Sequence, residues 1–103
     1  MFEKEDLNLL YECALEWGEH WLRPLIEWAK ELFPEWDEEK QIEICAYIDS
    51  VRDEINDYIS DRYDQEKLPK ENVKNWMKQK FPWMTDDLVA RGYSQGMYYA
   101  WHG

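Results

Sequence analysis

Histidine, cysteine and glycine are nearly missing from this chain of 103 residues, which holds two, two and four of them. His20 and His102 have no cysteine or histidine at ligand spacing, so no metal site is expected. Four glycines are too few for a glycine-rich phosphate loop. Cys13 and Cys45 fall on apolar faces, where a thiol acts as a small hydrophobe. Ser50, Ser60, Ser94 and Thr85 have no histidine near them in sequence to serve as a base. No catalytic residue and no cofactor are assigned on this basis, and the chain is not read as an enzyme. Long hydrophobic runs are also missing, so no membrane span is expected. The opening Met1-Phe2-Glu3-Lys4-Glu5-Asp6 is too charged for a signal peptide, which points to the cytoplasm with both thiols reduced.

Basic residues are scarce too. Twelve lysines and arginines face 23 acids, a net charge of −11. Such a surface repels phosphates, so direct binding to nucleic acid or an anionic membrane is disfavoured and a basic protein is the favoured partner. The imbalance is uneven: residues 1–66 carry a balance of −14 and residues 67–103 one of +3.

Against these gaps stand a 45% hydrophobic share, seven tryptophans and seven tyrosines. That is enough apolar surface for a single domain spanning residues 1–103. The fold class expected is all-α: a long antiparallel helical hairpin with two shorter helices packed across it, a small helical bundle. No internal repeat stands out.

The stretch from Asp37 to Asp64 organises the rest. Asp37 is a natural N-cap, and Glu38 and Glu39 suit the positive end of the helix dipole. Ile44, Ile48, Val51, Ile55 and Tyr58 then recur at helical spacing, with no proline or glycine between Trp36 and Pro69. The segment from Asp6 to Phe33 keeps a helical period through Gly18 and Pro24. A single helix kinked near Pro24 is preferred over two helices with Pro24 at a helix start. The short link Pro34-Glu35-Trp36 makes the two long segments antiparallel, pairing Trp28 with Ile44, Trp21 with Ile48 and Val51, and Tyr11 with Tyr58 and Ile59. Trp21, Trp28, Ile48, Val51 and Ile55 are the expected core. A third helix is expected over about Pro69 to Lys80. A fourth begins at an N-cap on Thr85, and either stops near Arg91 or brings Gly92 and Gly96 close to another helix.

On the outer face of the central helix, Asp49, Asp53, Asp57 and Asp61 stand four apart, with Glu54 and Asp64 beside them. Like charges at that spacing cost a few tenths of a kcal/mol per pair. A helix that needed only solubility would mix in lysine. These six acids are the candidate partner-binding residues, with Trp36 and Tyr98 as aromatic anchors. Carboxylates four apart lie about 6 Å apart, of the order of the spacing between backbone phosphates. In this respect the chain resembles small acidic DNA-mimic inhibitors, such as phage anti-defence proteins, and the helical immunity proteins of bacterial toxins. The resemblance implies a non-enzymatic inhibitor that occupies a basic surface of a partner, such as one that itself binds nucleic acid. Two alternatives accompany it. The acidic face is only solvated in a structural or scaffold protein that oligomerises, or the row Lys70, Lys74, Lys78 folds back and neutralises it. Separately, Glu16-x-x-Glu19 and Glu54-x-x-Asp57 resemble the paired acidic motifs of the all-α nucleotide pyrophosphohydrolases, which implies a magnesium-dependent enzyme as a distant third reading.

Overall fold

A computed structural model describes residues 2–16, 23–63 and 70–102. Among the described residues the chain is all-α, with helices α1 (Lys4–Ala14), α2 (Leu25–Leu32), α3 (Glu38–Tyr63), α4 (Lys70–Lys80) and α5 (Asp86–His102). It divides into two compact units, Met1–Ser50 and Val51–Gly103. Each is a small helical bundle, and α3 runs through the boundary.

In the first unit α1 packs on α2. Leu7, Leu10, Tyr11, Ala14, Leu15, Ala29, Phe33, Ile44, Cys45 and Ile48 form its buried core. The preferred single kinked helix is not what forms. Helix α1 ends at Ala14, where the Leu15 N–H is shared between the carbonyls of Tyr11 and Glu12. Pro24 is the N-cap of α2, and the Glu27 N–H donates to its carbonyl at 3.0 Å. A proline has no N–H for the preceding turn and its ring collides with that turn, whereas a helix start needs neither. Trp21 lies outside the described residues. Trp28 is half-buried rather than core, with the Arg23 guanidinium 4.2 Å above its ring. Ile48, Val51 and Ile55 are buried as expected.

In the second unit α4 packs on α5 around Val51, Ile55, Ile59, Val73, Met77, Phe81, Met84, Leu88 and Val89. The Tyr58 ring stacks on Trp76 at 3.8 Å. Helix α5 does not stop near Arg91. A Cβ on Gly96 would overlap the Ile59 Cδ1 and stand 3.3 Å from the Asn56 Oδ1, so glycine lets α5 and α3 touch.

The two units follow one pattern, 48 residues apart in sequence. Phe33 and Phe81 each close a helix, their N–H groups donating to Ala29 and Met77 at 2.8 Å. A β-turn follows with proline in its second position, closed by Trp36 N–H to the Phe33 carbonyl (3.1 Å) and Met84 N–H to the Phe81 carbonyl (3.0 Å). Then come the caps. The Lys40 N–H donates to the Asp37 carboxylate at 2.8 Å, and the Leu88 N–H to the Thr85 hydroxyl at 3.3 Å. Both linkers are buried at the phenylalanine and exposed at the proline. At this offset Asn8/Asn56, Trp28/Trp76, Lys30/Lys78, Phe33/Phe81 and Pro34/Pro82 are the identical pairs.

Candidate functional site

The acidic residues sit on α3 because its period leaves them opposite the buried seam Val51–Ile55–Ile59. Asp53, Glu54, Asp57 and Asp61 are exposed, Asp49 is half-buried, and Asp64 lies outside the described residues. The lysine row does not neutralise them. Lys78 binds Asp86 at 2.9 Å, Lys80 binds Glu54 at 3.3 Å, and Lys70 stands over the Tyr93 ring at 5.8 Å. Among the described residues Asp53 and Asp57 make no ion pair, and Glu54 is held by Lys80. The reason is geometric. Helix α4 puts Lys78 within reach of the first turn of α5, where Asp86 already favours the positive helix end. The hydrogen bond from Lys78, with its charge, holds the Asp86 carboxyl below its ordinary value.

Trp36 is half-buried. Phe33 stacks on it at 4.1 Å, Phe2 at 6.0 Å, and the Lys40 ammonium stands 4.0 Å from its ring. Its indole therefore steadies the first linker. Tyr98 is 46% exposed, and its ring meets Tyr99 edge-on at 5.8 Å. Trp101, 69% exposed, is the most open of the large apolar residues described and was not among the expected anchors. The density of aromatics in residues 97–101 was the sequence signal for it. Trp36 and Asp49 belong to the first unit, and Asp53–Asp61 with Tyr98 to the second.

The abundance of aromatic rings also finds its use. No tryptophan among the described residues is fully buried. Instead, rings carry cations: Arg23 on Trp28, Lys40 on Trp36, Arg62 on Tyr58 at 3.7 Å and Lys70 on Tyr93. Such contacts occur roughly once per 70–80 residues in proteins at large, so this chain is rich in them. Tyr58 is held from both directions, by Trp76 and by Arg62, whose Nη1 also donates to the Tyr58 carbonyl at 3.2 Å.

Neither cysteine is poised to react. Both are free. Burial, with the charges of Glu12 and Glu16, pushes the Cys13 thiol up to about 11. Burial and Asp49 do the same to Cys45, also to about 11. Among the described residues no group of three or more histidine, cysteine or carboxylate side chains is arranged to hold a metal ion. Of the paired acidic motifs, Glu19 lies outside the described residues and Glu54 is occupied by Lys80. No helix among them is long and apolar enough to cross a membrane.

No protein-family model, curated protein or solved structure matches the chain.

Proposed function

We propose that this is a non-enzymatic binding protein whose acidic face on α3 occupies a basic surface of a partner protein, one of the kind that itself binds nucleic acid. The observation that carries the reading is the exposure of Asp53 and Asp57 without an ion pair, beside lysines committed elsewhere. The first unit supports it as an internal control. Forty-eight residues earlier, the places of Asp53, Asp57 and Asp61 are taken by Glu5, Leu9 and Cys13. A helix in this position folds with leucine at the place of Asp57, so architecture does not require that acid. Self-repelling acids that the fold does not need are accounted for by an outside cation.

The test is a titration with a nona-arginine peptide over a range of salt, comparing three proteins. In Asp53→Lys with Asp57→Lys the affinity falls about tenfold or more and its salt dependence flattens. Glu39→Lys with Glu43→Lys changes net charge equally on an exposed part of α3 outside the ridge, and keeps most of the affinity. Equal losses in the two variants would show that net charge alone attracts the peptide, and would end the proposal.

A further inference from the structure

We infer that the chain is built from two tandem copies of one three-helix unit, set 48 residues apart and joined through α3, which is the last helix of the first copy and the first helix of the second. A shared helix–proline–helix linker alone could arise twice by local chemistry. The correspondence runs much further. Helix α1 matches the second half of α3, and Lys4-Glu5-Asp6-Leu7-Asn8 faces Arg52-Asp53-Glu54-Ile55-Asn56, the same order of base, two acids, branched aliphatic and asparagine. Helix α2 matches α4 through Trp28-x-Lys30-x-x-Phe33-Pro34 and Trp76-x-Lys78-x-x-Phe81-Pro82. The first half of α3 matches α5, each opened by a cap and two acids, Asp37-Glu38-Glu39 and Thr85-Asp86-Asp87.

Burial follows the offset over part of the core, while Ala14/Arg62, Lys40/Leu88 and Tyr47/Gln95 are buried in one member only. Leu7/Ile55, Tyr11/Ile59, Ala29/Met77, Phe33/Phe81, Gln41/Val89, Ile44/Gly92 and Ile48/Gly96 are buried in both members of each pair. The pairs differ in size, and the differences are local repackings. Gln41 is a buried polar group in the first copy because its Nε2 donates to the Phe33 carbonyl at 2.8 Å and the Trp36 carbonyl at 3.3 Å. Val89 fills that place with apolar volume in the second. The length of α5 fits as well. It runs to His102, and its last residues, 98–102, correspond to residues 50–54, where α3 passes from the first copy into the second.

If the units are copies, their linkers are interchangeable. The full chain would be made with residues 33–37 (Phe-Pro-Glu-Trp-Asp) and 81–85 (Phe-Pro-Trp-Met-Thr) exchanged, and also with Pro34 and Trp36 transposed as a control. A milder pair, Leu7→Ile with Ile55→Leu, exchanges counterparts in the core. The exchanged linkers are expected to keep the far-ultraviolet helical signal and one cooperative melt. The core exchange should leave the melting temperature within about 5 °C of the parent, and the transposed control should lose far more. An exchange that unfolds the chain as thoroughly as the transposition, or a core exchange that lowers the melting temperature well beyond that range, would overturn the inference. Peptide binding plays no part in this experiment, so its outcome is independent of the function proposed above.

Discussion

Gly96→Ala sets two measurable effects against each other. Alanine is favoured over glycine inside a helix by ~0.8–1.0 kcal/mol, and α5 is helical on both sides of this position. Taken alone, that gain would stabilise the protein. The new methyl, however, would overlap the Cδ1 of Ile59, a side chain with no exposed surface, and stand 3.3 Å from the Asn56 Oδ1. Overpacking of this kind costs ~1–3 kcal/mol. The overpacking term is the larger, because the fully enclosed Ile59 has nowhere to turn. A net loss of about 1 kcal/mol is expected, or a drop of about 5 °C in melting temperature for a chain of this size. The decisive measurement is a double-mutant cycle with Ile59→Val, which removes the atom in the way. In the parent that change costs ~0.5–1.5 kcal/mol. In the Gly96→Ala background it should be neutral or stabilising, a coupling of ~1–2 kcal/mol. Four chemical denaturation curves followed by circular dichroism give the answer. A cycle additive to within about 0.3 kcal/mol, or a Gly96→Ala protein that melts higher than its parent, would refute the close approach of α5 to α3.

Other outcomes follow from the same structure. Phe81→Ala removes a buried ring that ends α4 and should cost ~3–5 kcal/mol in a denaturant titration. Asp37→Ala deletes the cap on Lys40 and should cost ~0.5–2 kcal/mol, read in the same assay. The double reversal at Asp53 and Asp57 should leave the melting temperature equal or higher, since it turns like-charge neighbours on α3 into attractive ones. For the thiols, both pKa values are raised in the folded state, so the stability they contribute is complete below about pH 9 and is lost as pH rises towards about 11. A melting temperature that falls over that window, and falls less steeply in Cys45→Ala, is the expected record. A window indifferent to the thiols would contradict it.

What could be read without coordinates was local. The caps at Asp37 and Thr85, the uninterrupted helical period of α3 and the breaks at Phe33-Pro34 and Phe81-Pro82 each depend on residues within about four positions, and each forms as the spacing predicts. The acidic ridge was legible for the same reason, because a four-residue spacing on one helix fixes a common face whatever packs behind it. Tertiary structure decided the choices between partners distant in sequence. Proline at position 24 is compatible with a kink or a start, and packing of α1 on α2 selects the start. Tyr58 could have met any of several rings and stacks on Trp76. The lysines of α4 could have covered the ridge, yet Lys78 turns to Asp86 and only Lys80 reaches an acid of α3. The repeat lay between these two kinds of information. Cores tolerate changes of size and shape when the pattern is kept, so few identities mark the proposed repeat in sequence, and the matching turns and caps of the backbone are what carry the inference.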